Sequence, residues 1–481
     1  MLTEKEILKF IEDDDDSVKK KAAKIGLRYY EAEHDIQKYR MFFFNADGNL
    51  VEDTQRANAK ISHPFFTELV DQEVQYMLSG KNGFVKSDVP ELQKELDEYF
   101  GEDFTAELSN VLTGTIVKGF DYMYAYTNQE GKLAFQHADS MGVIEVRAKD
   151  ADDGSDYIIY WYVDRLAKKD KHIKRIQVWD KEKICFYIQE DGKLKEDRCF
   201  EPYPGDERST RPHTVFSKGE DVFYESFGFI PFFRLDNSTK QQSGLAPIKS
   251  LIDDYDIMSC GLSNNLADFD HPLHVVKGFQ GDNLDELAHN LRTKKMIGVD
   301  DTGGVEVHTV DIPYQARLVK MQEDEKNIYR FGMGFNSSQI GDGNITNIVI
   351  KSRYALLDLK CNKLEIRLRQ FLRKILKVVL SDINRLNETD YQMSDVWFDF
   401  EREVMTNAAD NAQIEKTDTE RKQIEVNTVL SLQGILDDES IIRAVCETLE
   451  LDYDEIKNRL PDDEELINKQ ILSLLESGGS P

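Results

Sequence analysis

The densest group of potential metal ligands in the sequence lies near its middle. Two carboxylates and two imidazoles fall within seven residues: Asp268, Asp270, His271 and His274. This donor set suits a divalent cation, and a bound metal would support hydrolytic chemistry. Pro272 breaks any helix through the group, so the spacing alone does not bring the four side chains together. The simpler interpretation is the end of a helix entering a strand, with the histidines near the negative end of the helix dipole.

A second group of residues suited to binding is a basic segment. Residues 351–385 contain ten basic and three acidic side chains, a net charge of +7, so the rest of the chain sums to −36. The basic residues are Lys351, Arg353, Lys360, Lys363, Arg367, Arg369, Arg373, Lys374, Lys377 and Arg385, and the acidic ones are Asp358, Glu365 and Asp382. Such a segment is either a solvated or ion-paired helix face or a surface that contacts phosphates.

The motifs of several enzyme classes are missing from the sequence. It contains no G-x-x-x-x-G-K-[ST], H-E-x-x-H, G-x-S-x-G or EF-hand loop, and no G-x-G-x-x-G after a strand. These absences weigh against generic NTPases, hydrolases and dinucleotide enzymes. Gly332-Met333-Gly334 lies inside a predicted helix with no strand before it, so the glycines indicate close packing or a bend.

Composition narrows the remaining classes. The 481 residues suggest roughly three domains. The net charge of −29 argues against a protein that grips DNA by its phosphates. The five cysteines (Cys185, Cys199, Cys260, Cys361 and Cys446) form no C-x-x-C pair, which favours free thiols in a reducing compartment. We expect no membrane span, because no run of about 18 apolar residues occurs, and the N-terminus lacks signal-peptide features.

The elements of the first half read as helices followed by strands. Helices are predicted over 3–40, 61–80 and twice within 91–126. From Tyr122 the apolar period changes to two, which is typical of strands. The predicted strands are 122–126, 133–137, 157–163, 176–179, 185–188 and 229–234. Local turns such as Asp191-Gly192 join them, so we expect one antiparallel meander.

The second half is mostly helical. An amphipathic helix is predicted over 247–269, with Ile248, Leu251, Tyr255, Met258, Leu262 and Leu266 as its apolar stripe. A small insert at 271–312 combines strands at 273–276 and 305–310 with a helix at 283–295. Further predictions are helix 314–335, a polar loop at 336–350, helix 351–387, strand 396–400 and helix 408–434. The stripe of helix 351–387 is Leu357, Cys361, Leu364, Leu368, Leu372, Ile375, Val379, Ile383 and Leu386. An acidic tail follows, and the fold class is α+β.

This order of parts resembles the portal proteins, or head-to-tail connectors, of long-tailed bacteriophages, in the branch typical of Gram-positive hosts. The residues that carry the resemblance are Arg234-Leu235-Asp236-Asn237-Ser238, Ser243-Gly244-Leu245, residues 251–255 and 263–268, Ile312-Pro313 and the strand 396–400. The resemblance spans essentially the whole chain. It rests on the order of elements and not on a catalytic signature.

The resemblance implies a portal fold with named regions. These are a wing (1–235), a first stem helix (236–270), a clip (271–312), a second stem helix (313–335) and a tunnel loop (336–350). A long wing helix with a returning strand (351–407) and a crown with the acidic tail (408–481) complete the chain.

The resemblance also implies a function and partners. A ring of twelve subunits would surround a channel for double-stranded DNA at one capsid vertex. It would dock the terminase large subunit and a head-completion adaptor, and contact the scaffold and major capsid protein. The protein would assemble in the host cytoplasm and reside in the virion, with no enzyme activity, cofactor, metal or membrane partner.

Particular residues are expected at the DNA channel. The tunnel-loop residues are Gln339, Asp342, Asn344, Thr346 and Asn347, and the candidate DNA-facing basic residues are Lys351, Arg353 and Lys360. The alternative is a metal-dependent phage nuclease or processing enzyme that uses the 268–274 cluster. A third possibility is a non-viral structural scaffold. The native mass separates a ring from a monomeric or dimeric enzyme.

Overall fold

A computed structural model describes most of the chain, which divides into two compact units. The described residues are 2–45, 47–54, 56–80, 83–128, 131–147, 155–164, 173–190, 192–197, 209–218, 221–268, 273–279, 283, 287, 299–308, 312–336, 347–402, 408–432, 438–449 and 453. The first unit is Met1–Gly341 with Arg353–Glu403, and the second is Asp342–Ser352 with Val404–Pro481. Helices and sheets occur in quantity, so the predicted α+β class is confirmed.

The N-terminal helical region is divided by a cap. Helix α1 (Glu4–Asp15) begins with a capping box, in which Thr3 N–H donates to Glu6 Oε2 at 2.8 Å. Helix α2 (Val18–Tyr30) is capped by the Ser17 side chain, so the predicted helix 3–40 is interrupted there. A 3-10 turn (Asp35–Lys38) follows α2.

Three further helices precede the sheets. They are α3 (Phe65–Met77), α4 (Pro90–Tyr99) and α5 (Glu102–Lys118). Helix α5 ends at Gly119, whose φ of 95° is left-handed and favours glycine. The chain passes directly from this cap into a strand.

A three-stranded antiparallel sheet lies next to α5. Its strands are β4 (Phe120–Thr127), β5 (Leu133–Ala138) and β14 (Phe232–Asp236), in the order β14-β4-β5. The β4–β5 hairpin confirms the predicted pairing of 122–126 with 133–137. The prediction that 229–234 continues the meander was wrong, because β14 pairs with β4. The Phe232 ring stacks on Tyr124 of β4, with centroids 5.1 Å apart, and meets the ring of Trp179 edge to face at the same distance.

The meander forms a separate sheet. Its strands are β6 (Val143–Val146), β7 (Tyr157–Asp164), β8 (Ile173–Trp179), β9 (Lys183–Glu190) and β10 (Lys193–Glu196), paired antiparallel in chain order; β11 (Thr210–Pro212) also pairs with β9. Ile7 and Ile11 of α1 pack on this sheet against Ile144, Ile159 and Ile176. The predicted strands at 157–163, 176–179 and 185–188 are confirmed.

Four two-stranded hairpins or ribbons complete the strands. They are β1 (Phe42–Phe44) with β2 (Leu50–Glu52), β3 (Val85–Ser87) with β17 (Val396–Phe398), β12 (Thr214–Lys218) with β13 (Asp221–Glu225), and β15 (Leu273–Phe279) with β16 (Val299–His308). Strand β17 ends two residues before the predicted end at Phe400. It is anchored to β3, more than 300 residues earlier in the chain, through the register pair Val396–Ser87.

Two long helices follow the sheets in the first unit. They are α6 (Lys249–Asp268) and α7 (Tyr314–Gly332). The predicted apolar stripe of α6 was wrong in part: Leu266 is 54% exposed, whereas the polar Asp256 is 1% exposed. Asp256 is buried because it has hydrogen-bond partners inside the protein, which are described below.

Helix α8 (Asn347–Asn387) is the longest element, with 41 residues and a length of about 60 Å. It begins at Asn347, four residues before the predicted start at 351. Eight of the nine predicted stripe residues are buried, and Leu386, at 59% exposure, is the exception. The stripe packs in the first unit from Leu357 onward.

The second unit is helical where it is described. Helices α9 (Ala408–Leu430) and α10 (Asp438–Thr448) belong to it. Ile441 and Cys446 of α10 are buried. Within the described part of the chain, no helix combines the length and the apolar character needed to cross a bilayer.

Candidate functional site

Helices α6 and α7 flank an antiparallel hairpin. Helix α6 ends at Asp268 and α7 begins at Tyr314, and β15 and β16 lie between them in the chain. The strands are longer than predicted, and Leu273 pairs with His308 at the base of the hairpin. Lys277 Nζ lies 2.6 Å from Glu306 Oε1 across it. The predicted helix 283–295 falls almost wholly outside the described residues.

The two helices are held together by a close approach and by charge. A Cβ atom at Gly261 would lie 2.3 Å from Nη1 of Arg317, so any larger residue would displace this guanidinium. The same Nη1 donates to the Met258 carbonyl at 3.4 Å. Lys320 Nζ lies 2.5 Å from Asp254 Oδ2 and also contacts Asp324. Hydrogen bonds to these two carboxylates raise the pKa of Lys320, so the lysine stays charged between the helices.

A segment without regular secondary structure is fixed along α6. The backbone N–H groups of alternate residues donate to side chains spaced four residues apart on the helix. The four hydrogen bonds, each from a backbone N–H to a side-chain acceptor, are Ala57 to Asp268 Oδ1 (3.0 Å), Ala59 to Asn264 Oδ1 (2.7 Å), Ile61 to Cys260 Sγ (3.2 Å) and His63 to Asp256 Oδ1 (3.1 Å). Twelve helical residues span about 18 Å, so the six steps from 57 to 63 cover about 3 Å each. Residues 57–63 are therefore extended and run antiparallel to α6.

Asp256 is the most buried member of this row. Its Oδ2 lies 2.6 Å from Nδ1 of His34 and its Oδ1 lies 2.7 Å from Nδ1 of His63. Burial disfavours the charged carboxylate, but the hydrogen bonds from both imidazoles outweigh it and hold the pKa of Asp256 below its usual value. His34 also stacks on Tyr29, with centroids 4.5 Å apart. The first turn after α2, the 57–63 segment and α6 meet at this carboxylate.

A cluster of charged residues lies at the start of α6. Asp35 lies 2.7 Å from Lys249 Nζ and 2.5 Å from Arg28 Nη2, and Lys249 also contacts Asp253 at 2.8 Å. Burial opposes ionisation of Asp35, but hydrogen bonds from Lys249 and Arg28 lower its pKa to about 2. The cluster therefore ties the N-terminal helices to α6.

The proposed metal ligands of the 268–274 cluster are not brought together in the described structure. Asp268 accepts the Ala57 N–H, which explains this carboxylate without a metal. Asp270 and His271 lie outside the described residues, and His274 belongs to β15. In the part of the chain that is described, no three His, Cys, Asp or Glu side chains are grouped as metal ligands.

The predicted channel residues are described only in part. Gln339, Asp342, Asn344 and Thr346 lie outside the described residues, and Asn347 is the first residue of α8. Lys351 is exposed, and Arg353 belongs to the same helix. These residues remain predictions.

Lys360 is the candidate basic residue whose surroundings are clearest. Its Nζ lies 2.8 Å from Oε2 of Glu73, a carboxylate that is almost completely buried. The lysine side chain is 20% exposed. Its charge therefore already neutralises an internal carboxylate, and its contact with DNA remains a prediction.

The Gly332-Met333-Gly334 motif ends α7. Met333 has a left-handed φ of 55°. A Cβ atom would lie 2.7 Å from Leu69 Cδ1 at position 332 and 2.0 Å from Leu69 Cδ2 at position 334. The prediction that these glycines permit close packing is confirmed.

Sequence reasoning missed the row of acceptors on α6. Asp256, Cys260, Asn264 and Asp268 recur every four residues, which places them on one helix face. That spacing was a usable signal, because polar residues in a regular row on a helix need partners. The donors carry no signal, since they are backbone N–H groups.

Comparison with known proteins decides the family. The sequence model described as "Phage portal protein, SPP1 Gp6-like" matches residues 8–458. The chain belongs to this portal protein family. The predicted family is thereby confirmed, and the protein acts as a phage portal protein located in the virion.

Two curated relatives agree with this portal assignment. The portal protein of Bacillus phage SPP1 is 27% identical over 349 residues, covering 72% of this chain and 67% of the relative. The portal protein of Clostridium phage phiCD119 is 24% identical over 398 residues, covering 80% of this chain and 83% of the relative. Both relatives come from phages of Gram-positive hosts, as the sequence predicted for this portal protein.

Proposed function

We propose that twelve copies of this portal protein form a closed ring at one capsid vertex, around a channel for packaging and ejecting double-stranded DNA. The observation that carries the proposal is the portal family match, which extends over residues 8–458 and so includes both helices α6 and α7 and the hairpin between them. Exposed apolar side chains on α7 support oligomerisation: Val319 is 63% exposed and Tyr314 is 52% exposed.

The regions of the ring subunit follow the order of elements. Residues 1–235 form the wing, 236–270 and 313–335 the stem, and 271–312 the clip. Residues 336–350 form the tunnel loop and 408–481 the crown. The ion pair of Lys320 with Asp254 supports the stem assignment, because it joins α7 to α6 while the clip projects from their ends.

The charge of the ring suits passage of DNA. Each chain carries −29, so twelve carry −348. Phosphates are repelled by such a ring on average, and DNA slides without settling at a fixed site. Lys351, Arg353 and Lys360 modulate this passage where they approach the channel.

The partners follow from these regions. The clip docks the terminase large subunit during packaging and the head-completion adaptor afterwards. Wing and crown contact the scaffold and major capsid protein during assembly in the host cytoplasm. The protein is not an enzyme and needs no metal or cofactor, because the packaging ATPase is a separate protein.

Two measurements test the proposal. Native mass spectrometry of the purified chain is expected to give about 670 kDa for twelve chains of 55.5 kDa, and negative-stain electron micrographs are expected to show rings with a central hole. A monodisperse monomer at micromolar concentration contradicts the proposal. Nicking of supercoiled DNA in Mg²⁺ or Mn²⁺, lost in Asp270→Ala, would favour the nuclease alternative.

A further inference from the structure

The outer face of α8 carries five cations without a partner. Lys363, Arg367, Arg373, Lys374 and Lys377 lie within about 120° of one another around the helix, at 100° per residue. Four of the five are exposed and Arg367 is half-buried. Within the described part of the chain, none of them makes an ion pair or a side-chain hydrogen bond. We call this set the basic face of α8.

The acidic residues of α8 all have partners within the described part of the chain. Asp358 lies 2.8 Å from Nη1 of Arg402, which also contacts Glu365. Asp382 accepts from the Tyr99 hydroxyl at 2.8 Å and contacts Arg385. The charge that this side of the helix leaves unpaired among the described residues is therefore basic.

Apolar residues are interspersed with these cations. Leu359 is 59% exposed and Ile366 is 65% exposed, and both lie on the same side of the helix as Lys363 and Lys377. A phosphate backbone provides no apolar surface for a leucine or an isoleucine to contact, whereas protein interfaces combine apolar and charged contacts. The mixture favours a protein partner over DNA.

A surface of matching opposite charge occurs on α4 and α5. Residues 88–107 contain eight acidic residues and one lysine, a net charge of −7, equal and opposite to the +7 of residues 351–385. Glu91, Glu98, Glu102 and Asp103 are exposed and Glu95 is half-buried. Among the described residues, none of these five carboxylates has a cation within 4.0 Å. We call this set the acidic face of α4–α5.

We propose that the basic face of α8 docks on the acidic face of α4–α5 of a neighbouring copy of this chain. This inference rests on the ring of the proposed function. It names the two subunit surfaces that contact each other around that ring. A head-to-tail ring needs two different surfaces that fit each other on every subunit, and these two meet that requirement. Like faces repel, so the same charges exclude basic–basic and acidic–acidic contacts and fix the direction of the ring.

Charge reversal on each face tests this interface. Lys374→Glu with Lys377→Glu lowers the charge of the five-residue basic face from +5 to +1, and Glu95→Lys with Glu98→Lys changes the charge of the acidic face from −5 to −1. Each variant alone removes most of the charge attraction from every contact and places like charges opposite one another at the substituted positions. We expect its ring fraction at 50 mM salt to fall at least tenfold in native mass spectra.

An equimolar mixture of the two variants is the decisive sample. In an alternating ring, the reversed face of each variant meets the reversed face of the other, so rings are expected to return with equal numbers of both chains. A misfolded variant cannot be rescued in this way. The matched control is Lys5→Glu with Lys9→Glu on α1, which changes the net charge by the same amount at two exposed lysines and should leave rings intact.

The outcomes separate this interface from the ring itself. Normal rings from both reversal variants, or no recovery on mixing, contradict the interface and leave the ring standing. Normal rings with reduced DNA packaging in Lys374→Glu with Lys377→Glu also contradict it and assign the basic face to DNA. Failure of the wild-type chain to form rings contradicts the proposed function, and the interface with it.

Discussion

Gly26 of α2 lies directly against the main chain of Val117 in α5. A Cβ atom at position 26 would lie 2.0 Å from the Val117 carbonyl oxygen, closer than any side chain tolerates. Both residues are buried. Helices α2 and α5 therefore touch backbone to backbone, and α5 leads without interruption into the central strand β4.

This contact makes Gly26→Ala destabilising. Alanine is the better helix former by about 1 kcal/mol, but the carbonyl it meets belongs to a helix that cannot retract like a side chain. We expect a net loss of about 1–3 kcal/mol in the free energy of unfolding, typical of overpacking, measured by chemical denaturation. Gly83→Ala is the control, since nothing lies within 4 Å of its Cβ position. Equal stability of the two variants would contradict the close approach.

Acid should weaken the cluster around Asp35. Its pKa in the folded protein is about 2, below the ordinary value of 3.8, so the ion pairs with Lys249 and Arg28 contribute stability above pH 3.8. That contribution is lost as the pH falls from 3.8 through 2, because the unfolded chain binds the proton first. Thermal unfolding of Asp35→Asn should therefore lie below wild type at pH 6 and converge with it near pH 2. A constant difference across that range would show that Asp35 does not act through its charge.

The β15–β16 hairpin offers a clean deletion of the proposed clip. His274 pairs with Val307, so residues 275–306 can be replaced by a two-residue Asn-Gly turn without moving the strand ends. We expect the variant to form rings with reduced stability and to package no DNA in a terminase-driven assay. The matched control replaces only residues 280–298 with a short glycine-serine linker, which keeps both strands. Normal packaging by the full deletion would remove the docking role from this module.

The channel loop can be tested with cysteine labels. Of the native cysteines, Cys185, Cys260, Cys361 and Cys446 are buried, and burial raises the pKa of Cys361 to about 12. A Cys199→Ser background therefore leaves no exposed reactive thiol among the described cysteines. Labels at Ser338→Cys or Asn344→Cys should be accessible in empty heads and protected once DNA fills the channel. Equal labelling in both states would place these residues outside the channel.

Charge reversal tests the basic residues that follow this loop. Lys351→Glu with Arg353→Glu adds negative charge to a ring that is already acidic, so we expect a several-fold loss of DNA packaged or retained, with ring assembly unchanged. Lys5→Glu with Lys9→Glu again provides the control. Unchanged packaging would mean that these cations do not face DNA.

The sequence predicted elements whose partners are local. The β4–β5 hairpin and the β7–β8–β9 meander follow from alternating residues and short turns, and the stripe of α8 from its period. Partners distant in the chain were harder to foresee: β14 joins β4 across more than 100 residues. The early start of α8 was missed because residues 348–350 carry β-branched side chains, which lower helix propensity only slightly.

The candidate site likewise has features that the sequence predicts and features that it does not. The side chains that could bind a metal were identified from the sequence. In the structure, the Asp268 carboxylate accepts a hydrogen bond from a backbone N–H. The buried position of Asp256 could not be foreseen, since it depends on two histidines more than 190 residues earlier in the chain. The pattern of apolar residues along a helix does not identify a carboxylate that is buried because it is fully hydrogen-bonded.

The row of hydrogen bonds along α6 also limits how that helix can move. The donors on the 57–63 segment repeat every two residues and the acceptors on the helix every four, so the two rows have the same spacing along the helix axis. A shift along the axis by less than one turn, about 5.4 Å, leaves every donor between acceptors. Smaller motions of α6 must therefore carry the segment with them. The β1–β2 hairpin, whose Phe44 is 73% exposed, precedes this segment in the chain.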